Sequence, residues 1–315
     1  MKRFTVIQVG LLGLLLAGGE VASAAPILIS ISGDTQQGPL QGIPRQVNQI
    51  NTANSTAGEL YDLGDGSQGF IGGLTFRPLD ALLYSIHNDG YGSNTMVAFA
   101  ANGGGSFDSF AHFLPDGFFY GLTYCETLDR FYALYTQGLG YVTFMEIDAA
   151  GQSATPVFDY APAWGVSLGG MTWGPSGLEG LFINEQGQWQ IHQIDLGGQQ
   201  VTAVGQGFGG YLSGGFYYDP AAGTYYAIDL DFSANGTLVT LDPGTGTASA
   251  QFGVGQGYYY GALTSIADEL TGEGPGDGPG GTPGEVPEPG TWAMAGIGII
   301  LLAASHSRRR QKHNQ

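Results

Sequence analysis

The sequence predicts an all-β protein built from five four-stranded units that close into a ring. Three observations carry this reading. A Gly-apolar-Thr strand recurs at nearly constant spacing along the 315 residues. An alternating strand that ends in an Asp or Asn turn recurs with the same period in a different phase. The first and last copies are incomplete in complementary ways.

The elements follow in order. The first unit opens at residues 27–31 (ILISI), passes the turn at Ile50-Asn51 and ends at Leu60-Tyr61-Asp62. The second begins with Gly73-Leu74-Thr75-Phe76 and continues through Leu83-Tyr84-Ser85-Ile86 to Phe99-Ala100. The third runs from Gly121-Leu122-Thr123-Tyr124 through Phe131-Tyr132-Ala133-Leu134 to Ile147-Asp148. The fourth holds Gly170-Met171-Thr172-Trp173, Gly180-Leu181-Phe182-Ile183 and Ile194-Asp195. The fifth holds Gly215-Phe216-Tyr217-Tyr218, Tyr225-Tyr226-Ala227-Ile228 and Leu241-Asp242. A last copy of the opening strand stands at Gly261-Ala262-Leu263-Thr264. The third motif positions, Thr75, Thr123, Thr172, Tyr217 and Thr264, are separated by 48, 49, 45 and 47 residues. Turn residues such as Asn54, Gly151, Gly198 and Gly246 suit hairpins, because such turns need residues that tolerate positive φ.

Each period therefore holds an inner strand A with the Gly-apolar-Thr motif, an aromatic strand B, a strand C that ends at the turn, and a strand D. Four short strands in about 47 residues make one blade of a β-propeller. The first unit has B, C and D without A; the last copy is an A alone. Joined, they complete a fifth blade from both ends of the repeat and remove the open edge. A linear β-solenoid is the rival arrangement, and it gives no reason for matching part-repeats. The propeller is expected over residues 25–270.

The two ends read as addresses. Lys2 and Arg3 precede an apolar run to Ala17, and the small residues 22–24 (ASA) place a signal-peptidase cut after Ala24, so that residues 1–24 form a secretory signal peptide. Residues 271–286 form a Gly/Pro-rich linker that can build neither helix nor strand. Residues 287–315 contain Pro287-Glu288-Pro289, an apolar run from Trp292 to Ala304, and the basic cluster Arg308-Arg309-Arg310. An apolar run of that length reads as a short C-terminal transmembrane helix, and the arginines hold its end on the cytoplasmic side.

Residues 286–312 resemble the PEP-CTERM sorting signal of Gram-negative bacteria. The resemblance implies processing by an exosortase, transient anchoring in the inner membrane, and delivery to the cell envelope or an exopolysaccharide matrix, as for biofilm proteins. It covers about a tenth of the chain and implies nothing about the repeat.

Charge narrows the function. Between residues 26 and 290 there are 26 acidic residues against Arg45, Arg77 and Arg130. Nucleic-acid binding is excluded, because tracking phosphates needs clustered cations. One cysteine, Cys125, excludes a disulfide scaffold and reads as a buried small hydrophobe. The segments joining D to the next A carry rings on Gly-rich backbone, and Phe70, Phe119, Trp164, Tyr211 and Tyr259 are the candidates for a carbohydrate platform at the mouth of the channel. The same rings, wedged between blades, would instead be core. No catalytic set emerges: the inner strands begin without carboxylates, and Glu126 and Asp129 fall in an A–B turn on the far face. The expectation is a non-catalytic binding protein without a cofactor, and the alternative is a polysaccharide hydrolase or lyase working at the channel mouth. Asp89, Asp229 and Asp231 are the candidates for calcium, in loops that lack EF-hand spacing.

Overall fold

Short runs of β-branched and aromatic residues, punctuated by Gly and Asx turns, build nothing but strands in the computed structural model of the protein. It describes residues 25–33, 45–62, 70–88, 93–101, 108–109, 114–137, 141–148, 152–161, 168–212, 215–231, 235–256 and 258–266, together with the single residues 150 and 233. The signal segment, the linker and the sorting segment, with its expected transmembrane helix, lie outside the described residues. Among the described residues no helix is long and apolar enough to cross a membrane.

Five four-stranded antiparallel sheets result. Blade 1 holds β1 (Ile27–Gly33), β2 (Arg45–Asn51) and β3 (Thr56–Asp62), with β20 (Tyr258–Ile266) as its innermost strand. Blade 2 is β4 (Phe70–Arg77), β5 (Leu82–Asn88), β6 (Asn94–Ala100) and β7 (Asp108–Ser109). Blade 3 is β8 (Phe118–Cys125), β9 (Arg130–Thr136), β10 (Val142–Asp148) and β11 (Ser153–Tyr160). Blade 4 is β12 (Leu168–Gly174), β13 (Gly177–Ile183), β14 (Trp189–Asp195) and β15 (Gln200–Phe208). Blade 5 is β16 (Phe216–Asp219), β17 (Thr224–Leu230), β18 (Asn235–Asp242) and β19 (Thr247–Gln256).

The expected closure is present. Strand β20 pairs antiparallel with β1, with Ile27 opposite Ile266 and Ile29 opposite Thr264. The inner strands β20, β4, β8, β12 and β16 then neighbour one another in that order and return to β20. Apolar faces of adjacent blades fill the wedges between them. Ile29, Leu74 and Leu83 share one such cluster across blades 1 and 2, and Leu181, Phe216 and Ala227 share another across blades 4 and 5.

The repeat motif has a physical role that the sequence did not disclose. Thr75 Oγ1 accepts the N–H of Tyr124 at 3.1 Å, Thr172 Oγ1 that of Tyr218 at 3.1 Å, and Thr264 Oγ1 that of Phe76 at 3.3 Å. Each threonine thus ties its inner strand to the next blade. Tyr217 replaces Thr in blade 5, and Ser265 donates to its hydroxyl across the closure. The glycines mark bulges where inner strands touch backbone to backbone. Gly73 has φ +85°, and a Cβ there would lie 2.2 Å from the Leu122 nitrogen. Only glycine fits such an approach.

The hairpin turns depart from expectation by one residue. The left-handed position falls on Ser55 and Gln199 rather than on Asn54 and Gly198, and on Gln152 next to Gly151, which lies outside the described residues; Gly246 holds it as expected. It lies four residues after the Asx residue in each case. The Asx carboxyl or amide takes up the free N–H groups of the loop, as Asp195 does for Gly198 and Asn51 for Ala53 and Asn54.

Candidate functional site

An A-B-C-D meander puts its A–B and C–D turns at one end of the blade. Its B–C loop and its connection to the next blade lie at the other. The two ends differ in chemistry. Among the described residues, the strongly exposed large apolar side chains divide cleanly: Phe118, Tyr120, Tyr141 and Tyr211 lie at the loop end, and Leu79 and Leu128 in the A–B turns. The loop end is aromatic; the turn end is aliphatic and ionic.

The turn end uses its charges for structure. Arg77 reaches Asp80 at 2.6 Å and Asp129 at 2.8 Å, and lies 5.8 Å from the centre of the Tyr124 ring. Bonds from Arg77 and Tyr124 hold the Asp129 carboxyl below the usual range. Arg130 sits 3.6 Å from Glu146 and 3.5 Å from Asp148. Cys125 is buried, as expected, and contacts the Thr127 hydroxyl. Glu179, missed in the sequence, is fully buried between blades 4 and 5. It accepts the Tyr225 hydroxyl at 2.8 Å and the Ser176 N–H at 3.2 Å. Desolvation pushes its carboxyl pKa up against these bonds. Gly174 makes the room: a Cβ there would stand 1.9 Å from Glu179 Oε2. A Glu at a strand-B position otherwise taken by Tyr84, Tyr132 and Tyr226 was the signal that could have exposed it.

The loop end corrects one of the aromatic candidates, Phe119. Phe118, Phe119 and Tyr120 do not form a loop; they open β8, and strand alternation sorts them. Phe119 is 5% exposed and packs on Tyr135 with ring centres 5.1 Å apart, so it is core. Its neighbours Phe118 and Tyr120 face solvent, at 40% and 37%. Phe70 and Tyr259 likewise lie in inner strands β4 and β20, and their side chains fall outside the described residues, as does Trp164 entirely.

Tyr211 is the candidate that lies in a true connection, and it is the most exposed described ring, at 57%. Its backbone is fixed on both sides. The Tyr211 N–H donates to Asp229 Oδ1 at 2.6 Å, and its carbonyl accepts the Leu230 N–H at 3.1 Å. Gly210, at φ +94°, leaves no space for a side chain beside the Asp229 carboxylate. The ring stands edge-on to the buried Trp189 at 6.1 Å, and the next residue, Leu212, is fully buried. Beside it the β13–β14 hairpin is built by Asn184, whose Oδ1 accepts the N–H of Gln186 and of Gln188, both 3.0 Å away. That geometry leaves the amides of Gln186 and Gln188 on the surface.

The calcium candidates are engaged in local structure. Asp229 supports Tyr211. Asp231 accepts the N–H groups of Ser233 and Asn235 and the Asn235 side-chain amide, all at 2.8 Å, and these bonds hold its carboxyl below the usual range. Asp89 lies outside the described residues. Among the described residues no His, Cys, Asp and Glu side chains gather in a metal-binding group.

Comparison with known proteins adds an address. Residues 285–310 match the PEP-CTERM protein-sorting motif. The motif implies export, anchoring at the membrane before sorting, and processing by an exosortase-type enzyme. No curated protein matches the chain. Among solved structures, TolB from Acinetobacter baumannii is similar over 73% of this chain and 53% of its own, at 12% identity and a TM-score of 0.45. The chain thus spans about half the length of that protein. A chain of the nidogen/laminin complex is similar over 76% of this chain and 97% of its own, at 12% identity and a TM-score of 0.49. The periplasmic gluconolactonase PpgL of Pseudomonas aeruginosa is similar over 77% and 70%, at 16% identity and a TM-score of 0.41.

Proposed function

We propose that this is a sorted, non-catalytic envelope or matrix protein of a Gram-negative bacterium whose loop face binds exopolysaccharide. The observation that carries the reading is the segregation of exposed aromatic rings to the loop end of the blades. Flat rings on a rigid backbone stack on the apolar faces of sugars, and amides such as Gln186 and Gln188 both donate to and accept from hydroxyl groups. Phe118, Tyr120 and Tyr211 lead the described rings, and Phe70, Trp164 and Tyr259 extend the platform. Several blades acting together would supply the affinity that a single ring lacks. The chain enters β1 at Ile27 and leaves β20 at Ile266, both at the turn end, opposite the aromatic face.

The fold is assigned to residues 25–270, between a signal peptide cut by signal peptidase after Ala24 and a tail cut near Pro287-Glu288-Pro289. Fractionation of the native host tests this. The mature protein should co-purify with the exopolysaccharide fraction and should yield no peptides from Arg308 onward in mass spectrometry. Recovery in the inner membrane with the tail intact would overturn it.

A further inference from the structure

Charge at the loop face indicates which glycans it takes. Both arginines with described side chains, Arg77 and Arg130, sit at the turn end, in ion pairs with Asp80, Asp129, Glu146 and Asp148. At the loop end the described ionised side chains around Tyr211 are carboxylates. Asp229 lies beneath the ring's backbone, Asp231 follows in the next loop, and Glu185 stands in the neighbouring hairpin. Arg45 begins β2 at this end, one blade away from the β16–β19 sheet, and its side chain lies outside the described residues. The body as a whole carries 26 acidic residues against three basic ones between positions 26 and 290.

A uronate or sulfated sugar placed on Tyr211 would bring a negative charge to a surface of the same sign. Among the described side chains there it would find no cation to repay its desolvation. An uncharged hexose suffers no such penalty. Its ring face stacks on the exposed phenol, and its hydroxyls reach the Gln186 and Gln188 amides and the Asp229 carboxylate, which accepts hydroxyl hydrogen bonds. The ring is also preorganised. Three contacts hold Tyr211 in place: the Asp229 carboxylate, the Leu230 N–H and the Trp189 ring. Little conformational freedom therefore remains to be lost on binding.

We infer that the face around Tyr211, between blades 4 and 5, is a subsite for uncharged hexose residues of a glycan chain and rejects anionic ones. This rests on the glycan-binding reading of the loop face. The test is affinity electrophoresis of the full chain in mild detergent, with EDTA present, in gels containing either neutral polymers (a β-glucan, a galactan, a mannan) or the uronates alginate and polygalacturonate. At least one neutral polymer should retard the protein and neither uronate should. Tyr211→Ala should weaken retardation on the order of tenfold with the melting temperature kept, and Tyr211→Phe should retain it. Retardation by uronates as strong as by neutral polymers would overturn the inference about charge while leaving glycan binding intact. No retardation by any polymer would overturn the glycan reading itself. Neutral binding unaffected by Tyr211→Ala in a stable protein would remove the subsite from this face.

Discussion

Adding one methyl group at Gly169 should damage the whole ring. Gly169 lies in inner strand β12, and a Cβ there would stand 2.3 Å from the Leu212 carbonyl oxygen and 2.7 Å from Leu181 Cδ2. Leu181 can turn aside; the Leu212 carbonyl is backbone and cannot. Relief requires β12 to move away from the connection that carries Tyr211 and Leu212. Overpacking of this kind costs about 1–3 kcal/mol, and the backbone contact places Gly169→Ala at the upper end. For a domain of this size, about 3 kcal/mol corresponds to a fall in melting temperature of roughly 6–12 °C. Gly58→Ala is the control, because nothing lies within 4 Å of a Cβ there and its effect should stay within about 0.5 kcal/mol. Circular dichroism melts of the two variants and the parent would decide. If Gly169→Ala melts with Gly58→Ala, β12 is not in close backbone contact with the connection at Leu212, and the packing argument for this glycine fails.

Two further outcomes are expected. Because burial raises the Glu179 pKa, the stability this group contributes is greatest below the ordinary carboxylate range and is lost as pH rises through its raised value. Glu179→Gln should therefore flatten the decline of melting temperature between acid and neutral pH; parallel profiles for variant and parent would refute the assignment. A chain ending at Gln256, compared with one ending at Thr271, lacks β20 and uncovers the edge of β1, where Ile29 and Ile31 are buried. It should aggregate and lose cooperative unfolding, and a sharp melt near that of the longer chain would mean that β20 does not close the ring.

How much was legible in the sequence depends on the kind of information. Blade number, strand order and closure could be read because strands of similar length repeat at one period, and because Gly261-Ala262-Leu263-Thr264 is an A strand without followers. The reason for the motif could not be read, since the Thr75 and Thr264 bonds run to neighbouring blades and the glycine contacts join backbones distant in sequence. Phe119 failed as a candidate because the limit of its strand was misplaced. Strand β8 starts before Gly121, so alternation rather than loop exposure decides which ring is free, and Phe119 went inward while Phe118 and Tyr120 stayed out. Tyr211 was identified in sequence and lies exposed in its connection, but its support by Asp229 joins a D–A segment to the end of a B strand. No local pattern announces that pairing.

The central claim is that the loop face is a binding platform rather than displaced core, and one paired measurement addresses it. The Phe118→Ala, Tyr120→Ala, Tyr211→Ala triple variant of the full chain would be compared with the parent for thermal melting and for binding to the host's own exopolysaccharide. These rings are 40%, 37% and 57% exposed, so their removal leaves the inter-blade clusters largely intact. The account predicts a melting temperature within a few degrees of the parent and loss of most of the polysaccharide retention. Unchanged retention in a stable triple variant would contradict it.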